Sequence, residues 1–449
     1  MTTVTAPTQL ADVVQQAMQR WDVPGMAVGV LKGGETQVFP FGLASTETDT
    51  AVREDTIFQI GSISKVFTAT LIMQLVDEGR VDLDTPIRAY LPELRLGDMQ
   101  ALAQITLRML LAHVGGFFGD NFTDTGHGDD ALGVFVAGFG GLAQITPPGA
   151  HFSYCNTGFA IAGAIVERLR GQSFETVMRE RVFAPLKMER AFLHAHEAMV
   201  YPLAIGHNTL PGKDRTIARR YPLPRASNPA GGVLCTAGDL LRFAQAHLND
   251  GELDGERILS AASARLMREP QYPAGSFAEH YGVGWMLRTF DGSRVCGHGG
   301  STNGFRAQLS VVPERGVAIA MLTNGSQGSA VNHTVEAFAL ERFAGLRSTE
   351  RPRIALSDAE LQRFAGRYER PLNRIDVSVR DGGLAIDQES ESPLNSEKAV
   401  SPTMRAEPVA PGVFLIVDGV SEGETVEFID GPEGTVRFMR AHGRLTDRV

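Results

Sequence analysis

Two residues in the stretch Gly61-Ser62-Ile63-Ser64-Lys65 could do nucleophilic chemistry together. At a spacing of three, Ser62 and Lys65 share one face of a helix, a turn apart. A hydroxyl is a weak nucleophile until a base takes its proton. A buried lysine that has lost its charge can be that base, and arginine cannot. The chain has only five lysines among 42 basic residues: Lys32, Lys65, Lys187, Lys213 and Lys398. Lys65 is followed by Val66, Phe67, Leu71, Ile72, Leu75 and Val76, which cover most of a helix circumference and predict a buried helix. A lysine there needs a partner or a depressed pKa. On this short pattern the plainer reading stays open, in which Ser62 only caps the helix and Lys65 only snorkels.

Tyr154-Cys155-Asn156 is the chain's only Tyr-x-Asn, set between the turn Pro147-Pro148-Gly149 and a helix. A phenol can pass a proton between nucleophile and leaving group if a nearby cation lowers its pKa. Asn156 can hold a lysine or a substrate carbonyl through its amide. Alone, such a tyrosine is as readily a core residue with a satisfied hydroxyl. Gly297-His298-Gly299-Gly300-Ser301 follows the strand candidate Ser293–Cys296. Its small residues let substrate approach the backbone and can turn an N–H toward a developing oxyanion, although a glycine cluster can also be a simple turn. From the residue counts, Ser-x-x-Lys and Tyr-x-Asn together are expected about 0.04 times by chance.

The elements that must position these groups follow from periodicity. Asp12–Arg20 predicts an opening helix. Ala27–Leu31 and Thr36–Phe41 alternate around Lys32-Gly33-Gly34-Glu35, a hairpin signal. Ile63–Glu78 lacks Gly and Pro and is followed by Gly79, a helix with a glycine stop. Leu107–Ala112 and Thr157–Leu169 predict further helices, the second stopped by Gly171. Ala307–Val312 and Val317–Thr323, joined by Pro313-Glu314-Arg315-Gly316, predict a second hairpin, and Val331–Phe343 a closing helix. Strands near both ends with helices between point to one sheet completed from both ends of a domain, with a helical part inserted.

Gly345–Ser357 is a charged, proline-containing linker. Beyond it lie the short strand candidates Gly366–Tyr368, Ile375–Val379, Leu384–Asp387, Val413–Val417, Thr425–Ile429 and Val436–Met439. Asp-Gly turns among them predict a small all-β domain, barrel or sandwich. Ser390–Pro411, polar and proline-rich, reads as a flexible loop. The expected domains are therefore residues 1–345 and 358–449.

A chain of 449 residues can bury a large core without a disulfide or metal staple. The net charge of −10 argues against nucleic acid or an anionic membrane as partner. No run of 18 apolar residues occurs, so no membrane span is expected. Met1–Arg20 lacks the basic start, apolar centre and small-residue site of a secretory signal, which predicts a cytoplasmic protein. Cys155, Cys235 and Cys296 are odd in number and scattered, so neither a disulfide framework nor a zinc site is expected, and no cofactor. His194-Ala195-His196-Glu197 reads as a solvated loop rather than a metal pair. Gly126–Gly141 is either a substrate-facing lid or a surface loop.

In their order, Gly61–Lys65, Tyr154–Asn156 and His298–Gly300 resemble the motifs of the serine β-lactamase and penicillin-binding-protein superfamily, on its class C and serine-esterase side. Ile105–Gly116, Pro147–Gly158, Ala184–Met188, Pro229–Asp239, Tyr281–Trp285 and Leu322–Gly325 match the family's habits too, so the resemblance spans about residues 10–345. It implies an α/β (α+β) fold of the β-lactamase/transpeptidase-like kind: a mixed sheet flanked by helices, a helical region, and the active site in the cleft between them. It implies Ser62 as nucleophile, Lys65 as its activating partner and Tyr154 as general base and acid. Asn156, His298, Gly299, Gly300 and Ser301 would meet the substrate, with the oxyanion between the backbone N–H groups of Ser62 and Ser301. The implied reaction is ping-pong acyl transfer through an acyl-enzyme. Phe364–Tyr368 resembles the opening of a lipocalin-like module, expected to shape the cleft or mediate assembly. A homo-oligomer is left open.

The resemblance departs at His298-Gly299, where Lys-Thr-Gly is common. A neutral histidine is a poor partner for a substrate carboxylate. Tyr-Cys-Asn with Gly-His-Gly-Gly looks like the D-aminopeptidase branch. His113-Val114-Gly115-Gly116 stands where His-Thr-Ser-Gly is common and is expected to be structural. The leading expectation is a serine hydrolase cleaving a small ester or amide. The alternatives are a D-aminopeptidase or D-amino-acid amidase, a β-lactamase or D-alanyl-D-alanine carboxypeptidase, and a non-catalytic binding module. The intact Ser62, Lys65 and Tyr154 speak against the last.

Overall fold

The computed structural model describes residues 6–209, 213–220, 223–347, 351–391 and 398–449. A nine-stranded sheet forms the centre of the larger part. From one edge its strands are Tyr272–Pro273, His280–Tyr281, Met286–Phe290, Ser293–Thr302, Phe305–Val312, Val317–Thr323, Gly25–Lys32, Glu35–Ser45 and Thr50–Ala51. Neighbours pair antiparallel, and Val28 sits opposite Met321, so the first long strand lies beside the last. The sheet is thus completed from both ends of this part of the chain. Gly25–Lys32 is buried from Gly25 to Leu31, as its unbroken run of apolar and small residues requires when both faces of a sheet are covered.

One face packs under the helices Ala6–Arg20 and Gly328–Ala339, in a core that includes Leu10, Val14, Ile319 and Val331. The other face packs on Ala237–Leu248 and the helical region. At the centre of that region runs Ser64–Asp77, buried from Ser64 to Leu75. Its apolar side chains point in every direction, which suits a helix surrounded by protein. Asn156–Arg170 and the short helix Asn228–Gly231 flank it.

The C-terminal part is an eight-stranded closed barrel. Its strands are Gly366–Arg370, Asn373–Arg380, Gly383–Glu391, Met404–Ala410, Val413–Ile416, Thr425–Asp430, Val436–Ala441 and Arg444–Arg448. Asn373–Arg380 pairs on both sides and closes the ring, and Lys398–Val400 adds to the edge. Closure leaves no long open edge. Leu361, Phe364, Tyr368, Ile375, Phe414 and Phe428 fill the interior. This is the all-β domain that the turn spacing predicted, and the closed barrel fits the lipocalin-like module that the resemblance implied.

The flexible loop expected over Ser390–Pro411 is corrected. Residues 398–400 and 404–410 are strands, while 392–397 lie outside the described residues. Met404 and Ala406 point inward while Arg405 stays exposed, the alternation of a barrel strand, which the surrounding prolines and polar residues masked. Among the described residues no helix is long and apolar enough to cross a membrane.

Candidate active site

From Thr56 to Leu75 every residue is buried except Ser62. It lies in the tight turn Gly61–Ile63 that leads into Ser64–Asp77. Ser64 locks the turn, donating to the Gly61 carbonyl at 2.7 Å and accepting the Val233 N–H at 3.0 Å. Lys65 is fully buried, with Nζ 3.0 Å from Ser62 Oγ and donating to the Ala230 carbonyl at 2.6 Å. Burial drives its pKa well below the ordinary lysine value. The charge of Arg444 pushes the same way, while Asp120 and Cys155 oppose. The amine can therefore stand neutral, with a lone pair toward the serine. The other four lysines are exposed.

The strand Ser293–Thr302 presses its backbone onto this turn. A Cβ on Gly61, whose φ is +50°, would meet Ser301 N at 2.7 Å, and one on Gly300 would meet Ile60 O at 1.9 Å. Glycine at both positions is what lets the Ser301 backbone lie beside Ser62. Ser301 itself is exposed at the cleft rim, and Gly299 is half-buried.

Tyr154 is 7 % exposed, and the Lys65 ammonium position lies 4.9 Å from its ring centroid. The cation that would lower its pKa is present in Arg444 but is outweighed. Burial raises it and outweighs the opposing pull of the Ser62 hydroxyl and the Arg444 charge. Its Oη is buried with no hydrogen-bond partner among the described residues. The resting pair is therefore a neutral phenol and an amine with a lowered pKa. Cys155, between the two proposed site residues, accepts the Gly158 N–H at the start of its helix, and burial pushes its thiol up to about 12. It is a packing and capping residue.

Asn156 does not reach Lys65 in this structure. Its Nδ2 donates to Asp120 Oδ1 at 2.9 Å. Asp120 in turn accepts from Arg444, Nε at 2.6 Å and Nη2 at 3.0 Å, and from Arg370 at 3.1 Å. The two arginines hold its carboxyl below the usual carboxylate range despite burial. Both belong to the C-terminal barrel, and the Arg444 guanidinium stands 5.0 Å from the Tyr154 ring centroid. The hairpin of Val436–Ala441 and Arg444–Arg448 is clamped here by Tyr154 N–H donating to the Gly443 carbonyl (2.8 Å) and Leu445 N–H donating to Ser153 Oγ (3.2 Å). The barrel thus forms one wall of the site. Sequence reasoning missed Asp120, Arg370 and Arg444, because a lone Asp in a loop and two arginines among many carry no local pattern.

His298 is buried, and both ring nitrogens are taken: Nε2 lies 2.8 Å from Tyr281 Oη and Nδ1 donates to the Gly299 carbonyl at 2.6 Å. Burial, with Lys65 adding, lowers its pKa to about 3. It brings no charge to the cleft. His194 and His196 stack on each other at 5.2 Å, and no group of three metal-ligating side chains occurs among the described residues. The glycine-rich segment contains the helix Ala131–Ala137.

Comparison with known proteins agrees with this arrangement. A family model described as Beta-lactamase matches residues 10–341. Penicillin-binding protein 4 of Amycolatopsis lactamdurans is 41% identical over 360 residues, covering 78% of this chain and 93% of that protein. Among solved structures, SurE with D-Leu superposes with a TM-score of 0.74 at 25% identity, covering 98% of this chain and 99% of that one. D-amino acid amidase from Ochrobactrum anthropi, complexed with L-phenylalanine amide, gives a TM-score of 0.61 at 25% identity, covering 74% and 99%.

Proposed function

Because the chain belongs to the Beta-lactamase family of serine hydrolases, we propose that it cleaves a small ester or amide through a covalent acyl-enzyme on Ser62. The observation that carries this reading is the fully buried Lys65 with Nζ 3.0 Å from Ser62 Oγ. Lys65 takes the Ser62 proton as Oγ attacks the carbonyl carbon. The oxyanion forms against the backbone N–H groups of Ser62 and Ser301, donors preset by the turn and the strand. Tyr154, neutral at rest, hands its proton to the leaving group and regains one from the protonated Lys65. Water then repeats the attack on the acyl-enzyme with the roles reversed. His298 lends no positive charge for a substrate carboxylate, which speaks against efficient β-lactam turnover.

A second reading, an amidase for D-amino-acid amides, draws support from the likeness to D-amino acid amidase. The cluster of Asp120, Arg370 and Arg444 holds one positive charge in excess, which suits a neutral or anionic substrate end better than a free ammonium.

One panel tests both: a short-chain p-nitrophenyl ester, D-alanine p-nitroanilide and a chromogenic cephalosporin, each with wild type and Ser62→Ala. The expected result is ester hydrolysis, slow or no cephalosporin turnover, and loss of activity in the variant. Full activity of Ser62→Ala would overturn the mechanism. A fluorophosphonate adduct on Ser62, seen by mass spectrometry, separates an enzyme from a binding module.

A further inference from the structure

We propose that His113, Tyr281 and His298 form a one-way hydrogen-bond relay that positions Tyr154 and the Gly299–Ser301 backbone relative to each other. The inference rests on the hydrolase reading of the site. Its geometry is a continuous chain. Cys155 N–H donates to His113 Nδ1 at 2.9 Å; His113 Nε2 lies 3.2 Å from Tyr281 Oη; Tyr281 Oη lies 2.8 Å from His298 Nε2; and His298 Nδ1 lies 2.6 Å from the Gly299 carbonyl.

The two ends fix every proton. A backbone N–H can only donate, so His113 Nδ1 accepts and its proton sits on Nε2. That proton goes to Tyr281 Oη, leaving the phenol hydrogen for His298 Nε2. A carbonyl can only accept, so His298 Nδ1 carries the proton at the other end. Both ends give the same answer, with four bonds, four protons and both imidazoles neutral. The two histidines thus hold opposite tautomers. Protonating His298 would put a second hydrogen on the Tyr281–His298 link and cost a buried hydrogen bond.

The chain begins and ends beside groups of the proposed reaction, next to Tyr154 at one end and two residues before Ser301 at the other. The His113 ring stacks on Tyr154 at 4.2 Å with an interplanar angle of 28°, which sets the plane of the phenol. His298 orients the strand segment whose Ser301 backbone lies against Gly61. The groups facing the relay act together with it. Lys65 faces both imidazoles and Arg444 and Cys155 face His113, while Tyr281 faces Tyr154. His113 holds a left-handed backbone, φ 59°, a strain that persists only where the surroundings fix the residue in place. His113 and Tyr281 are positioning residues, and neither need touch substrate.

The test is two-bond 1H–15N correlation spectroscopy on the full-length protein with 15N-histidine, assigned with single-histidine variants. The expected pattern is Nε2–H at His113 and Nδ1–H at His298, with no titration of either between pH 8 and pH 5. In Tyr281→Phe both tautomers are expected to persist and His298 to stay neutral, while its Nε2 resonance moves downfield because it has lost its hydrogen-bond donor. Ester hydrolysis by that variant is expected to show kcat down about 100-fold with KM little changed, the pattern of misplaced reacting groups. Identical tautomers, or a charged His298 in wild type at pH 7, would overturn the relay. So would a Tyr281→Phe variant with wild-type kcat, or one that loses kcat while the His298 Nε2 resonance stays in place, since Tyr281 would then be only a packing residue. If Tyr281→Phe does not fold, the wild-type tautomers decide alone. Activity in Ser62→Ala would sink the hydrolase reading but leave the tautomer pattern untouched, so the two failures are distinct.

Discussion

Arg444 grips Asp120 with two hydrogen bonds, 2.6 and 3.0 Å, across 324 positions of sequence. Through that contact the barrel adds to the electrostatics of a lysine whose pKa burial already lowers. The Arg444 charge helps to lower the Lys65 pKa, and Asp120 works against it.

Arg444→Ala should therefore raise the Lys65 pKa, because it removes a cation and leaves Asp120 less compensated. Lys65 must be deprotonated to accept the Ser62 proton, so the acid limb of kcat/KM moves to higher pH. At neutral pH kcat/KM should fall about tenfold or more. A pH–rate profile with the p-nitrophenyl ester measures the shift.

Lys65→Met should separate stability from activity. Ester hydrolysis and fluorophosphonate labelling of Ser62 should fall by about 10²–10⁴-fold, the worth of a positioned base. Thermal unfolding should occur at the same or a higher temperature, because a fully buried amine is replaced by an apolar side chain of similar length. Calorimetry beside the labelling assay reads both.

Gly300→Ala drives a methyl group into the Ile60 carbonyl. The strand must withdraw from the Ser62 turn, taking the Ser301 N–H with it. Losing one oxyanion donor is worth about 10²–10³ in kcat, and the overpacking should cost about 1–3 kcal/mol of stability. Steady-state kinetics and chemical denaturation of the same sample check the pair of effects.

Cys155 should resist iodoacetamide in the folded protein at pH 8, despite its place beside Tyr154. With its thiol pushed up to about 12, only about one molecule in ten thousand carries the reactive thiolate. Mass spectrometry should find Cys155 modified after denaturation and unmodified before. Rapid labelling of the native protein would show that the burial is breached in solution.

Much of the architecture is local and so was legible. The hairpin at Gly33-Gly34, the helix that carries Lys65 and the glycine stops at Gly79 and Gly171 depend on neighbours within a few positions. So does the approach of Lys65 to Ser62, since a spacing of three on a helix brings two side chains together whatever surrounds them. Five lysines, one of them in a helix with apolar residues on several faces, also signalled a buried amine before any coordinate was known. The barrel strand Met404–Ala410 was lost because its alternation is short and flanked by prolines. Arg444–Arg448 is a strand only because it has partners on both sides.

What only the tertiary structure decided are contacts whose partners lie far apart in the chain. Asp120, Arg370 and Arg444 meet through closure of a barrel onto a cleft. His113, Tyr281 and His298 meet through the packing of a helix end, a sheet edge and a strand. The direction of the Tyr154 pKa shift followed from burial, which periodicity could not show for a residue outside any helix or strand. Periodicity records which face of an element is apolar, and so determines where a residue such as Lys65 is hidden. It does not record which distant charge or ring comes to rest against that residue, and those neighbours adjust a proton affinity that burial has already lowered.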